Sequence, residues 1–313
     1  MVKDQAMPTP INLSRFDFIS LRLFVAAIDG GSLTAGAERF GISVAAASKR
    51  ISELESHVGS TLLARSKRGV VPTSAGQTLL QHAAEIVAGL EQLALAMEDL
   101  RHGARGHLRL WANPSAFAGF LPRLLADYLE TFPKVAIDLE ETLSHDAVLA
   151  VARGGAELAI IGGNTPADGL EGFVCDLDEL VLLLPAGHPL ASQPTIDIET
   201  ALSLDLVGLN RVTSLMRQIA TVAESIGQRL KIRVQVRNFD AVCRMVSVGI
   251  GAAIVPRAAG APHLSSLGLT MTRLTGMSTA RRLLMIMRKR SSLSPAAQAF
   301  VSLAEQRMER RSY

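Results

Sequence analysis

The chain has 313 residues, of which 48% are hydrophobic and 19% charged, with a net charge of +3. That length accommodates two or three domains with real cores, and that apolar content excludes a chain disordered throughout. No apolar run approaches the roughly 20 residues of a membrane span, and no cationic start leads into an apolar core, so neither a membrane helix nor a secretory signal is expected.

The charge is uneven along the chain. Residues 15–72 carry eight Lys/Arg against five Asp/Glu, an excess equal to that of the whole chain. This points to an anionic partner for the N-terminal segment. Residues 1–14, with Pro8 and Pro10 in polar company, read as a flexible tail.

A first helix is expected near Asp17 to Asp29, because Leu21, Phe24, Val25 and Ile28 form an i, i+3, i+4, i+7 stripe. Gly30 and Gly31 end it. Ser32 caps a short helix from Leu33 to Phe40 that turns Leu33, Ala37 and Phe40 inward. Gly41 closes that helix, Ile42 plugs the corner, and Ser43 caps the next helix, which reaches Gly59. The four-residue connection has the length of the turn in a helix-turn-helix. In the third helix Ala47, Ile51, Leu54 and Val58 make one buried stripe. The opposite face, Val44, Ala45, Ser48, Lys49 and Ser52, is small and carries a single cation. Leu62 and Leu63 then anchor "RSKRGVVPT", a hairpin with Arg65, Lys67 and Arg68 around Gly69, which reads as the wing of a winged helix-turn-helix.

A long helix follows, about Ala75 to Arg101. Thr73 or Ser74 can cap it, with Gln77 completing a capping box to Ser74. Leu79, Ala83, Ile86, Leu90, Leu93, Met97 and Leu100 advance by alternating steps of four and three, a heptad seam that favours the same helix of a second chain as partner. Packing of that helix within its own monomer is the competing reading.

Gly103 and Gly106 mark a hinge. Beyond it strands alternate with helices of 10–15 residues, the pattern of an α/β domain with a mainly parallel sheet. "HLRLWAN", "VAIDLEE", "ELAIIGG", "ELVLLLP", "LVGL", "IRVQVRN", "GAAIVP" and "RRLLMIM" are the strands, and a final helix starts at Pro295. Ligands of such folds sit beyond the carboxyl ends of strands, near helix N-termini. Enzyme signatures are absent. Gly249-Ile250-Gly251 lies between a helix and a strand, the wrong place for a dinucleotide loop; the seven histidines have no metal-ligand spacing; no G-x-S-x-G or Walker sequence occurs. The two cysteines, Cys175 and Cys243, have no partner spacing and read as buried thiols in a reducing cytoplasm. A binding protein without chemistry, cofactor or metal fits better than an enzyme.

The segment "LRLFVAAIDGGSLTAGAERFGISVAAASKRISELESHVGSTLLARSKRGVVPTSAGQTLL" resembles the DNA-binding domain of LysR-type transcriptional regulators, and "VSVGIGAAIVP" and "PAGHPL" stand in the order of that family's effector domain. The resemblance spans about residues 16 to 310. It implies an N-terminal winged helix-turn-helix at 15–73, a linker and dimerisation helix at 74–102, and a two-lobed α/β effector domain at 103–313 resembling periplasmic binding proteins. Lobe I is expected at about 107–163 and 268–313, lobe II at about 164–267, with crossovers near Gly162-Gly163 and Leu267-Gly268. It further implies a cytoplasmic, nucleoid-associated dimer, and by analogy a tetramer, that binds double-stranded promoter DNA and contacts RNA polymerase.

By that resemblance Ser43, Val44, Ala45, Ser48, Lys49 and Ser52 approach bases and phosphates, with Arg65, Lys67 and Arg68 on the backbone or in a minor groove. The family's usual Gln-Pro pair is Val44-Ala45 here, so adenine-type hydrogen bonds give way to packing on thymine methyls. The resemblance also places an effector cleft among Asn113, Ser115, Ala116, Ser144, Gly163, Asn164, Arg211, Thr213, Ser214 and Asn238, with Ser115 and Ser144 matching ligand-contacting hydroxyls. Arg211 and the helix N-termini near Ser115 and Ser214 favour a small anionic metabolite. The alternative function is a small-molecule-binding α/β protein whose helical N-terminus only dimerises it.

Overall fold

The computed structural model describes residues 16–66, 69–102, 106–276 and 280–311. The expected tail at 1–14 and the glycine hinge at Gly103 lie outside the described residues. Two compact units divide the chain, residues 1–95 and 96–313.

The first unit starts with α1 (Phe18–Asp29), capped by Asp17, whose carboxylate accepts from the Ser20 N–H at 2.9 Å. Helix α2 (Leu33–Arg39) is capped by Ser32 and α3 (Val44–Val58) by Ser43, as the sequence leads one to expect. The core holds Leu21, Leu23, Phe24, Ala37, Ala47, Ile51, Leu54, Leu62, Leu80 and Ala83. Two of these, Leu23 and Leu80, fall outside the stripes read from the sequence, because a three-helix core closes round more of each helix than a single i, i+3, i+4 row. Strands β1 (Leu63–Ser66) and β2 (Gly69–Pro72) pair antiparallel as the wing.

Helix α4 (Ser74–His102) begins one residue earlier than expected. Thr73 is its cap: the hydroxyl accepts from the Gly76 N–H at 3.0 Å and donates to the Thr61 carbonyl at 2.6 Å. Ser74 is therefore the first helical residue rather than the cap, and its capping box with Gln77 does not form. The heptad seam divides. Ala83 is buried and Leu79 half-buried in the unit's own core, whereas Ile86, Leu90, Leu93 and Met97 are 50, 42, 56 and 53% exposed. The side chain of Leu100 lies outside the described residues.

The second unit contains β3 (His107–Ala112), α5 (Pro114–Ala118), α6 (Leu121–Thr131), β4 (Ala136–Glu141), α7 (Ser144–Ala152), β5 (Leu158–Gly162), β6 (Glu171–Pro185), β7 (Thr195–Asp197), α8 (Ile198–Ser203), β8 (Asp205–Leu209), α9 (Ser214–Ser225), β9 (Lys231–Val236), α10 (Phe239–Ser247), β10 (Ala253–Pro256), α11 (Arg257–Gly260), α12 (Leu264–Leu267), β11 (Leu269–Thr275), β12 (Ala280–Met287) and α13 (Pro295–Arg311). The main sheet runs β4-β3-β5-β12-β6-β11-β7 with β10 also on β6; β8 and β9 form a second sheet.

The sheet is mixed rather than mainly parallel. β3 pairs parallel with β4 and β5, and β8 with β9, but β12, β10 and β11 all meet β6 antiparallel. The reason is the length of β6. Its residues 171–179 pair with β12, and residues 180–185 pair with β10 and β11, so one strand serves two lobes. The sequence shows only the apolar half as a strand, because Gly172, Asp176 and Asp178 interrupt the hydrophobic run in the other half. Strand β11 is not evident in the sequence either, since Thr270, Thr272 and Arg273 dilute its pattern.

The lobe cores place the crossovers. Leu108, Leu110, Leu121, Leu124, Tyr128, Leu283 and Phe300 share one core; Leu180 to Leu184, Leu206, Ile219, Val242, Leu269 and Leu274 share the other. The change therefore falls between Glu179 and Leu180 and between β11 and β12, not at Gly162-Gly163 and Leu267-Gly268. Residues 164–179 belong with lobe I strands, and 268–275 with lobe II.

Candidate DNA-reading helix and effector cleft

On α3 the stripe of Ala47, Ile51 and Leu54 is buried, and Val44 is 46% exposed on the far side. Ala45, Lys49 and Ser52 are also exposed, and Ser48 is half-buried. Lys49 Nζ stands 3.9 Å from Glu53 Oε1, with both groups largely in solvent. An exposed i, i+4 pair of this kind contributes about 0.3–0.5 kcal/mol, so it does not hold Lys49 back from a phosphate. Arg50 is differently placed: Nη1 lies 3.4 Å from Asp17 Oδ1, tying α3 to the start of α1. Ser43 caps the helix: its hydroxyl accepts from the Ala46 N–H at 3.2 Å and so fixes the end of the helix that carries the exposed face.

The wing is fixed to the helices at two points. Glu55 Oε1 on α3 accepts from the N–H groups of Leu62 (2.8 Å) and Leu63 (3.1 Å). Val70 N–H donates to the Gly31 carbonyl at 2.9 Å. Gly69, at φ +116°, is required there: a Cβ would come within 2.0 Å of that carbonyl oxygen. Arg65 pairs with Val70 through its backbone, but its side chain, together with Lys67 and Arg68, lies outside the described residues.

In the second unit, three serines from both lobes converge. Ser115 is the second residue of α5 and Ser144 opens α7, both in lobe I; Ser214 opens α9 in lobe II. Ser144 Oγ accepts from Asn113 Nδ2 (3.3 Å) and from the Gly162 N–H (3.2 Å), and it donates to Ser214 Oγ at 3.2 Å. Asn113 also caps α5, accepting from the Ala116 N–H at 3.0 Å. Asn164 Nδ2 donates to the Ser214 carbonyl at 2.9 Å. Thr213 caps α9 through the Met216 N–H and borders the cluster. Asn113, Ser115, Ser144, Thr213 and Ser214 line a small, partly open cleft of about 10 Å³, room for about one water molecule.

The remaining expected residues stand apart from this cluster. Ala116 directs its methyl into the lobe I core, and its N–H is already taken by Asn113. The Gly163 N–H donates to the Arg282 carbonyl at 2.9 Å as part of the strand edge. Asn238 caps α10 by accepting from the Ala241 N–H and is exposed. Arg211 lines a separate open groove of about 400 Å³ on α9, shared with Arg217 and Arg229.

Two residues absent from the sequence reading complete the cluster. Arg281 on β12 is 2% exposed; Nη1 donates to Ser115 Oγ at 2.6 Å and Nη2 to Ser214 Oγ at 2.5 Å. Its cross-strand neighbour on β6 is Asp178, 8% exposed, with a closest N···O separation of 3.8 Å. Burial pushes the Asp178 carboxyl up to about 7; Arg281 opposes this and Asp176 adds to it. Burial likewise lowers Arg281 to about 10 against the pull of Asp178. A signal for Arg281 exists in the sequence: it precedes Leu283 and Met285 on the inward face of an alternating strand. Cys175 and Cys243 are buried free thiols, both pushed up by burial.

Both halves of the architecture match family models. Residues 18–77 match the bacterial regulatory helix-turn-helix protein of the lysR family, and residues 101–309 match the LysR substrate binding domain. The chain belongs to the LysR family. A relative, the probable RuBisCO transcriptional regulator of Trichormus variabilis (strain ATCC 29413 / PCC 7937), is 30% identical over 291 residues, covering 91% of this chain and 86% of that protein. The crystal structure of full-length CbnR complexed with its target DNA has a TM-score of 0.61 at 19% identity, covering 93% of this chain and 99% of that one. The effector binding domain of QuiR in complex with shikimate has a TM-score of 0.58 at 20% identity, covering 64% and 95%. This LysR chain is thus a transcriptional regulator with a DNA-binding helix-turn-helix and an effector-binding domain, and not an enzyme. No described helix is long and apolar enough to cross a membrane.

Proposed function

We propose that this LysR regulator binds promoter DNA as a cytoplasmic, nucleoid-associated homodimer, assembled further into a tetramer, and answers to a small anionic metabolite held between the lobes of its effector domain. The observation that carries the effector reading is the convergence of Ser115, Ser144 and Ser214 from both lobes on one buried hydrogen-bonded cluster. A ligand there touches both lobes at once, so it interacts differently with open and closed arrangements and can shift one to the other. Asn113, Asn164 and Thr213 support the serines.

DNA is read by α3. Val44 and Ala45 pack on thymine methyls, Ser48 and Ser52 approach bases and phosphates, and Lys49 meets a phosphate as a point charge. Arg65, Lys67 and Arg68 place the wing on the backbone. The bare Ile86, Leu90, Leu93 and Met97 of α4 meet the same face of a second copy. Contact with RNA polymerase follows from position at a promoter. A duplex from upstream of the protein's own gene, compared with an unrelated duplex in a gel shift, tests the reading. Preference for the upstream duplex is expected, and equal affinity for both would refute it.

A further inference from the structure

We propose that Arg281 occupies the effector cleft as an internal ligand and is the group that captures the effector, a singly charged carboxylate. This rests on the reading above that the effector binds among Ser115, Ser144 and Ser214.

Three observations carry it. First, Arg281 fills the space. Its guanidinium spans Ser115 of lobe I and Ser214 of lobe II, and the small cleft that these serines line has room for about one water molecule. Gly162 keeps that position open, because a Cβ there would stand 2.5 Å from Ser214 Oγ and 2.6 Å from Arg281 Nη2. Any effector must therefore take the guanidinium from at least one serine, and so release a tie between the lobes.

Second, the guanidinium is under-satisfied. Among the described residues only three buried side-chain polar atoms have no hydrogen-bond partner, and two of them are Arg281 Nε and Asp178 Oδ2. The two side chains face each other across paired strands, yet stop at 3.8 Å. The bonded partners of Arg281, the hydroxyls of Ser115 and Ser214, are neutral. A buried charge compensated in this way is costly, and a carboxylate offers a guanidinium two parallel charge-assisted bonds. The titration of both groups is pushed toward their neutral forms, as expected of a pair that does not compensate itself.

Third, the charge count limits the effector. Arg281 is the cation bonded to the serine cluster. Arg217 reaches Thr165 instead, and Arg211 lies in the other groove. Arg281 carries a single positive charge for which Asp178 already competes, so every further negative charge on the effector is buried without compensation, and a monoanion costs less than a dianion.

The test uses the full-length protein without DNA at about pH 8, where a carboxylate is ionised. Sodium acetate, sodium benzoate and sodium phosphate are each titrated against sodium chloride of equal ionic strength, and the thermal midpoint is followed. A monocarboxylate should raise the midpoint above the chloride control, and phosphate should not. Arg281→Gln should weaken the carboxylate by about tenfold or more, with Arg281→Lys in between. Asp178→Asn removes the competing anion and should tighten the same carboxylate by about threefold or more, an effect that a purely structural clamp would not produce. Should Arg281→Gln not fold, Asp178→Asn decides alone. The proposal is overturned if neither carboxylate acts on the wild type, if phosphate acts equally, if Arg281→Gln retains the response, or if Asp178→Asn weakens it. Because no DNA is present, this outcome is independent of the promoter-binding test.

Discussion

In the proposed DNA reading, one side chain, Val44, sets a base preference. It is exposed at the first turn of α3, on a helix whose opposite face is fully engaged in the core. An isopropyl group cannot donate or accept, so the contribution proposed for it is packing on a thymine methyl. Val44→Ala is expected to lower discrimination at one T·A pair by about 1 kcal/mol with little change on other sequences, measured by anisotropy on substituted duplexes. Uniform loss on every duplex would remove base reading from Val44. Glu55 acts through structure. Its carboxylate takes two backbone N–H groups of the wing approach, and Glu55→Ala leaves both without a partner, so a loss of about 1–3 kcal/mol in denaturant unfolding is expected. Of the residues read as cleft-forming, Ser115 and Ser144 come from the resemblance to the family, whereas Asn113 and Thr213 carry the sequence signature of a helix cap. Ser115, Ser144, Thr213 and Ser214 are found together, while Asn238, with the same signature, only caps its own helix. Arg281 and Asp178 are not legible as a pair. They are distant in sequence, and only the pairing of β6 with β12 makes them neighbours.

At the scale of elements, α4 shows what periodicity can and cannot say. The seven-residue spacing correctly marks an apolar row, but its first positions serve the unit's own core and only Ile86 onward is bare. Four large apolar side chains on successive turns of one helix form a surface that a monomer rarely leaves in water. Leu93→Asp places a charge in the middle of that row and should shift the protein to monomer in sedimentation while α1 to α3 stay folded. An unchanged oligomeric state would mean that another face joins the subunits. Strand β6 shows the converse. Its apolar half is read at once as a buried strand, and its acidic half is hidden because Asp176 and Asp178 break the hydrophobic run. The helices are legible to within a residue or two because each carries its own cap and stripe; strand partners are not, because antiparallel pairing at β6 depends on residues a hundred positions away.

For the molecule as a whole, stability and sensing meet at the lobe crossover. The Asp178 carboxyl, at about 7 when folded against an ordinary value near 3.8, binds its proton more tightly in the folded chain. Its contribution is therefore fully present below about pH 4 and is lost as pH rises through about 7. Asp178→Asn mimics the protonated form, so its stability relative to wild type should climb between those limits and level off above them. A constant difference across that range would show that Asp178 is ionised throughout. The central claim is that α3 enters duplex DNA with Lys49 against a phosphate. Anisotropy on the upstream duplex across a salt series, with wild type and Lys49→Ala side by side, tests it most directly. The slope of log K against log salt should fall in magnitude by about 0.9 for each phosphate left unneutralised, with weaker binding at every salt concentration. Identical slopes for the two proteins would contradict the account.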